Sequence, residues 1–457
     1  MIVKDPEQPP YQYDEDRLVF LQEYWNQTDG EIISGVLANP LNWPGQPNGW
    51  LINGKSISNY NAVNPSTKGL AVIDVEPHKT YRFRFVAATS LSVAIFAFEN
   101  HTNFKIVQAD GSYTKRLNVE LFQIGSGQRY DALFETKSCD ELRQLGKLDF
   151  YVQLETRERD PVVTNYAVLR YSNNCNIARP NRVATDTNPP TAPLTLPPTD
   201  PEYLDYQLEP LEDNDFPSSN EVTRRVFLNQ KQEITGYFRW VVNNNSWMDR
   251  GDVVNHTTTP HKPYLVALYE NTEEYLPDLE AAVANGGLDP RTKTYPVRIG
   301  EVIEIVFQNI GASSDNELVP PGSLDTHPWH AHGTHIYDIG SGQGAYDPAV
   351  AESKLQGTHP VRRDTTVLYK YTDSVEENQV ASWRAWRLRV TDPGVWMVHC
   401  HTLQHMIQGM QTVWLHGDSA DILKVGYPDV TGYLTYGGDV YGNATHAPTV
   451  IHFYETI

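Results

Sequence analysis

Cysteine is scarce in this chain of 457 residues, with three in all. The paired cysteines that a structural zinc site needs are therefore absent. No run of about twenty apolar residues occurs, which excludes an ordinary transmembrane helix. Nothing after Met1 has the basic and then apolar form of a secretory signal. Basic residues are outnumbered, 36 Lys and Arg against 57 Asp and Glu, for a net charge of −21. That sign argues against nucleic acid and against an anionic membrane surface as partners. It is read as a solvated, soluble surface. Histidine is unevenly placed: residues 1–326 contain no His-x-His.

The residues that are plentiful point to β-structure. There are 31 Pro, 30 Gly and 26 Tyr, with short β-rich runs. Tyr81-Arg82-Phe83-Arg84-Phe85 alternates as a half-buried strand does. Ser90 to Phe98 is more continuously apolar and reads as a buried strand. The stretch from Thr185 to Asn220 is rich in Pro, Thr, Asp and Glu and reads as an extended surface connector. A second β domain begins near Glu221. Val297, Ile299 and Val302, with the run Ile303 to Phe307, predict a strand pair turning at Gly300. Trp386 to Val390 alternates again. Asp392-Pro393-Gly394 is a turn signal leading into a strand, Val395 to His401. A helix is expected after Gly409, then a strand from Gln411 to Leu415. Gly340-Ser341-Gly342-Gln343-Gly344 reads as a turn, since no Lys-Ser/Thr follows to make a phosphate loop.

Seven of the fifteen His fall in or beside two short motifs. Residues 399–410 read His-Cys-His-Thr-Leu-Gln-His-Met-Ile-Gln-Gly-Met. In an extended strand, neighbouring side chains face opposite ways, so Cys400 opposes His399 and His401. Cys400, His405 and Met410 follow at steps of five. Thiolate, imidazole and thioether suit a blue copper site with a weak axial Met, which needs a second His. The upstream motif, His327-Pro328-Trp329-His330-Ala331-His332-Gly333, supplies it. His330 and His332 share a face if extended, and His327 has the opposite parity. His327 is therefore assigned beside Cys400. His330 and His332 join His399 and His401 around a second, imidazole-rich copper centre, on the order of 10 Å away at strand spacing. His335 has no partner spacing and is read as structural.

These two motifs resemble the copper motifs of the third domain of multicopper oxidases, the family of laccases, ascorbate oxidases and ferroxidases. Asn48-Gly49-Trp50-Leu51-Ile52-Asn53-Gly54-Lys55 and Gly127-Gln128-Arg129-Tyr130-Asp131 resemble the start and the end region of its second domain. The wording is most similar to fungal ascorbate-oxidase-like and laccase-like members. The resemblance implies an all-β fold of two cupredoxin-like (plastocyanin-like) Greek-key β-sandwich domains. The expected organisation is residues 1–12 as the end of a first domain, 13–178 as the second, 179–220 as connector and 221–457 as the third. It implies Cu as cofactor, with His327, Cys400 and His405 on type 1 copper and Met410 axial. His330 would serve type 2 copper, and His332, His399 and His401 the type 3 pair. Cys400, His405, His399 and His401 would carry the electron. The family's cluster uses eight His, four of them from a first domain. The chain is accordingly expected to be a fragment, blue but poor at reducing O₂ alone, with the first domain needed as a partner.

The activity implied is one-electron oxidation of a small phenol or enediol, coupled to reduction of O₂ to water. A ferroxidase is the alternative, for which Asp325 and Asp392 are the near carboxylates in sequence. A copper-binding electron-transfer module is another. The wider spacing of copper nitrite reductases excludes that family. An axial Met implies a low type 1 potential. Many members carry an acid where this chain has Leu403, so protons are expected to reach the cluster by another group. Sequons at Asn26, Asn100, Asn244, Asn255 and Asn443 fit a secreted glycoprotein. Cys139 and Cys175 are then expected to pair. Two free thiols, or pairing of one with a Cys elsewhere, stay open.

Overall fold

Alternating and continuous apolar runs fold here into four sheets. The structure is a computed structural model, and it describes residues 9–57, 68–186, 192–234, 237–247, 264–314 and 319–425. The sequons at Asn255 and Asn443, and the tail after 425, lie outside the described residues. Two compact units are present: Met1–Asn26, Gly45–Asn214 and Thr358–Arg363 in one, and Gln27–Pro44, Asp215–Gly357 and Asp364–Ile457 in the other.

The strands of the first unit are β1 (Glu15–Tyr24), β2 (Gly49–Ile52), β3 (Ala71–Val75), β4 (Thr80–Ala88), β5 (Val93–Phe98), β6 (Phe104–Ala109), β7 (Ser112–Val119), β8 (Phe122–Ile124), β9 (Arg129–Glu135), β10 (Asp149–Arg157) and β11 (Thr164–Tyr171). Those of the other two sheets are β12 (Arg224–Ile234), β13 (Phe238–Val242), β14 (Tyr295–Val297), β15 (Val302–Ile310), β16 (His327–Ala331), β17 (Ile336–Gln343), β18 (Arg362–Arg363), β19 (Thr365–Leu368), β20 (Val380–Arg389), β21 (Gly394–Cys400) and β22 (Gln411–His416). The helices are α1 (Asp29–Val36), α2 (Cys139–Leu145), α3 (Tyr264–Glu270), α4 (Thr272–Tyr275), α5 (Leu279–Ala284), α6 (Pro348–Leu355), α7 (Leu403–Ile407) and α8 (Ser419–Ile422).

One topology occurs twice. The sheet orders are β2-β1-β4-β9-β6-β7 and β3-β11-β10-β5-β8, then β13-β12-β15-β20-β17-β18 and β14-β22-β21-β16-β19. Adding eleven to each strand number turns the first pair of sheets into the second. Strand β5 thus corresponds to β16, and β10 to β21. In the first unit the space between sheets is filled by rings: Phe83 packs on Phe85, Phe98, Phe104 and Phe134 with centroids 5.4–6.0 Å apart. In the second unit Phe307 packs on Trp329 and Trp386, and β16 and β21 bring His and Cys besides.

Several sequence expectations are corrected by the fold. Val297 and Val302 do not belong to one strand pair: β14 joins β22 in the five-stranded sheet, whereas β15 joins β12 and β20 in the other. Gly300 therefore turns the chain from one sheet to its partner. The helix near Gly409 precedes it, as α7, because Gly409 at φ +104° ends the helical turn and β22 follows directly. The stretch read as a surface connector is partly core. Leu204 and Leu208 are buried among the apolar residues of the first unit, and Gln153 and Leu194 exchange two hydrogen bonds at 2.9 Å. Its prolines deny it a central strand place, yet its leucines still have sheet to cover. Residues 27–44 interrupt the first unit's strands and belong to the second unit, where Val36 O accepts from Gln408 Nε2 at 3.0 Å.

Alternation also misjudged two arginines. Arg82 and Arg387 sit at positions read as solvent-facing, but both are buried. Arg82 Nε donates to Asp131 at 2.8 Å, and Arg387 donates to Glu304 at 2.7 Å. Burying a guanidinium is tolerable only with such partners. The Arg387 and Arg225 guanidinium hydrogen bonds outweigh burial and hold the Glu304 carboxyl below its usual range. The disulfide expectation is met: Cys139 and Cys175 are bonded, with Cα atoms 5.2 Å apart.

Candidate metal centre

The pairing of β16 with β21 sets Trp329 opposite Cys400, and His330 opposite His399. Parity then sorts the side chains. His327, Trp329 and Cys400 share one face of the sheet, and His330 and His399 share the other. The first face is dry: His327 and Cys400 are fully buried and His405 is 2 % exposed.

Three donor atoms converge on that face. Cys400 Sγ stands 3.7 Å from His327 Nδ1 and 3.8 Å from His405 Nδ1, and the two Nδ1 atoms are 3.1 Å apart. The short α7 carries His405 back over the strand. Cys400 N–H donates to Met410 O at 3.0 Å, and Met410 N–H donates to His405 O at 3.0 Å. Those two bonds clamp the loop, and Met410 is fully buried in the same apolar cluster as Cys400. Trp240 covers both imidazoles, its ring 4.6 Å from each. On its outer nitrogen, His405 Nε2 lies 3.3 Å from Asp325 Oδ2, a quarter-exposed carboxylate.

A second cluster lies on the opposite face. His332 Nε2 and His399 Nε2 are 3.0 Å apart. The His330 ring is 5.0 Å from that of His332 and 5.8 Å from that of His401. One ligand atom each from His330, His332 and His399 fits within 4.8 Å. His401 stands beside them, 5.9 Å from His399 ring to ring. Hydrogen bonds fix two of the tautomers. His330 Nδ1 donates to Asp364 O at 3.0 Å and His399 Nδ1 donates to Cys400 O at 2.9 Å. Each Nε2 is left as a lone-pair donor. Burial holds His399 down at about 3 and lowers His332 as well, so both imidazoles are neutral ligands near neutral pH. Gly333 follows at φ +72°, and a Cβ there would meet the Trp396 ring at 2.2 Å. Only glycine turns the chain so closely behind His332.

The two donor sets fit copper by their chemistry. A thiolate, two imidazoles and a buried thioether in an apolar shell match a blue site, and grouped neutral imidazoles suit Cu(II). The sequence motifs named these residues. They did not reveal Trp240, whose shielding depends on the β12–β13 pairing, nor Asp364. Asp364 Oδ1 is 3.5 Å from His330 Nδ1, and its Oδ2 is 3.3 Å from His335 Nε2. His335, read as structural, is thus joined to the second cluster through one carboxylate. Asp325 was legible as an acid two residues before His327. Asp392, the other near carboxylate in sequence, accepts instead from the Trp396 indole through its backbone oxygen.

Two family descriptions, each named multicopper oxidase, match residues 15–174 and 257–420. The laccase-like multicopper oxidase 1 of Thermothelomyces thermophilus is 40% identical, over all of this chain and 75% of its own length. The chain belongs to the multicopper oxidase family. Multicopper oxidase terE of Aspergillus terreus is 42% identical over 99% of this chain and 86% of its own. The L-ascorbate oxidase of Cucumis sativus is 27% identical over 91% and 69%. Among solved structures, Fet3p superposes with a TM-score of 0.61 at 19% identity, over 91% of this chain and 68% of that one. The laccase of Botrytis aclada gives 0.58 at 19%, over 89% and 64%. Those likenesses establish the fold, two cupredoxin-like β-sandwiches. As a multicopper oxidase, the protein is a copper-dependent oxidoreductase. No helix among the described residues is long and apolar enough to cross a membrane.

Proposed function

We propose that His327, Cys400, His405 and Met410 would hold a type 1 copper, and that His330, His332, His399 and His401 would be ligands of the oxygen-reducing copper cluster. The convergence of one Sγ and two Nδ1 atoms within 3.8 Å, all buried, carries this reading. Copper, when bound, supplies one-electron redox chemistry. The chain's residues supply the rest. Cys400 sits between His399 and His401, so a few covalent bonds link the two donor sets. The His399–Cys400 hydrogen bond adds a second connection. Trp240 and Met410 exclude water from the first set, and a dry, preformed pocket reduces reorganisation when charge changes. The Asp325 carboxylate, 3.3 Å from His405 Nε2, flanks the outer edge of that ring.

The electron donor we propose is a small phenol or enediol, which would give up its electron at the His405 edge, with O₂ as acceptor. Similarity to laccase-like and ascorbate oxidase sequences supports this class. A reducing metal ion is the second reading, supported by the Asp325 carboxylate at that edge. Anaerobic stopped-flow reduction of the copper-loaded chain distinguishes them. Rapid bleaching of the blue band by a hydroquinone, with slow bleaching by Fe(II), supports the first. The reverse order overturns it. We place the protein in an oxidising, extracellular compartment, supported by the Cys139–Cys175 disulfide and by exposed sequon residues Asn26, Asn100 and Asn244. Mass spectrometry of the native protein, finding unmodified asparagine at all three, would count against it.

A further inference from the structure

On the outward face of β12 the second unit carries a cleft of about 420 Å³, within the range of small-molecule sites. Its walls include Arg225, Phe227, Asn229, Asn245, Asn285 and Lys293. No carboxylate lines it, although the chain as a whole carries a net charge of −21. Strand alternation explains the walls: Arg225, Phe227 and Asn229 are the outward positions of β12, and Val226, Leu228 and Gln230 point to the core.

The wall is already set. Asn243 Nδ2 donates to Phe227 O at 2.7 Å and to Tyr295 Oη at 3.0 Å, and Asn229 N–H donates to Asn243 Oδ1 at 3.0 Å. Asn245 Nδ2 donates to Asn243 O, and Asn285 Nδ2 donates to Leu288 O. These bonds anchor the amides, as does Gln308 Nε2, which donates to Asn229 Oδ1 at 2.8 Å, and each carboxamide keeps at least one hydrogen-bonding position beyond them. Arg225 is fixed by Glu304 at 2.6 Å, with a third of its side chain exposed. Lys293 has no ion-pair partner among the described residues, and Phe227 is 37% exposed.

We propose that this cleft binds a carboxylate-bearing sugar, a uronic acid in an oligosaccharide. Lys293 and Arg225 would take the carboxylate through charge-assisted hydrogen bonds. The carboxamides, each both donor and acceptor, match vicinal hydroxyls. Phe227 gives the apolar C–H face of a sugar ring a flat surface to cover. A bare anion would use neither the ring nor the amides, and a neutral sugar would not use Lys293.

Titration calorimetry on the whole chain tests this with trigalacturonate, maltotriose and inorganic phosphate. Saturable binding of trigalacturonate is expected, at least tenfold tighter than either of the others. Lys293→Glu should weaken it tenfold or more and leave maltotriose unchanged. Phe227→Ala should weaken it several-fold. Both residues are exposed, and thermal unfolding verifies that each variant is folded. Absence of saturable heat, equal affinity for phosphate, or insensitivity to both substitutions would each overturn the proposal. Copper is not needed for the measurement, so its outcome is independent of the redox reading.

Discussion

His399 donates its Nδ1–H to the backbone carbonyl of Cys400 at 2.9 Å. One bond thus ties a ligand on one face of β21 to the residue that points to the other. It also commits His399 Nε2 to the second donor set. Since the two sets lie on opposite faces, they can be emptied separately. His332→Ala should lower the copper held per chain at the second centre at least tenfold in affinity. The blue absorption should stay. Metal analysis beside visible spectra reads both. Loss of the blue band in this variant would mean that the two faces are not independent.

Replacing Cys400 by Ser should abolish the blue colour. The charge-transfer band requires a thiolate, and no other free cysteine is present among the described residues. The substitution conserves volume in a fully buried position, so unfolding is not expected to confuse the result. A Cys400→Ser chain that stays blue would refute the assignment.

Asp325→Asn should keep the copper and change its properties. A carboxylate on the outer nitrogen of a ligating imidazole raises that ligand's basicity and favours the oxidised metal. Removing the charge should therefore raise the type 1 potential. Turnover or metal affinity should alter by roughly ten- to a hundredfold. Redox titration of the blue band is the measurement. An unchanged potential would show that Asp325 only touches solvent and His405.

Much of this site was legible because β-strands have a period of two. Parity separated His327 from His330 and Cys400 from His399, and the need for a second imidazole assigned His327 to Cys400; the β16–β21 register sets Trp329 opposite Cys400 and His330 opposite His399. The failures also have physical causes. Arg82 and Arg387 broke the alternation because both are buried with carboxylate partners from neighbouring strands, Asp131 and Glu304. Those pairings depend on long-range strand order. Val297 and Val302 looked like a hairpin because a turn at Gly300 reads alike whether it returns to the same sheet or crosses to the opposite one. The doubled architecture was legible through the family resemblance alone, not through periodicity. It resides in strand order, while β5 is aromatic where β16 bears histidine.

Loss of the disulfide should destabilise the first unit and spare the second. The bond closes a span of 36 residues, which in the chain-entropy account corresponds to about 3–4 kcal/mol. Cys175 is buried against the aromatic core, and Cys139 opens α2. A Cys139→Ser, Cys175→Ser double variant should lower the unfolding midpoint of the first unit's transition while the blue band, reporting the second, melts as before. Coincident loss of both signals would show that the units unfold as one.

The last expectation concerns acid. His101 is buried between Phe134, Phe150 and Tyr171. Its Nδ1 donates to Glu99 O at 2.6 Å, which leaves Nε2 to accept from Tyr171 Oη at 3.0 Å. Burial lowers its pKa to about 3 from an ordinary value of 6.5. The unfolded chain therefore binds the proton more readily than the folded one. Stability from this residue is complete above about pH 6.5 and is lost as pH falls toward 3, at a limiting slope of about 1.4 kcal/mol per pH unit. Buried carboxylates such as Glu304, held low by its arginines, also lose stability in acid, so the wild-type curve alone cannot isolate His101. His101→Phe can. At pH 7 the variant forfeits both hydrogen bonds and should be less stable by about 1–3 kcal/mol. It has no imidazole to protonate, so its disadvantage should shrink steadily below pH 6.5 and vanish or reverse by pH 4. Urea unfolding of both proteins, followed by the first unit's signal from pH 7 to pH 4, measures this. A gap that stays constant over that range would mean that His101 keeps its ordinary pKa in the folded chain.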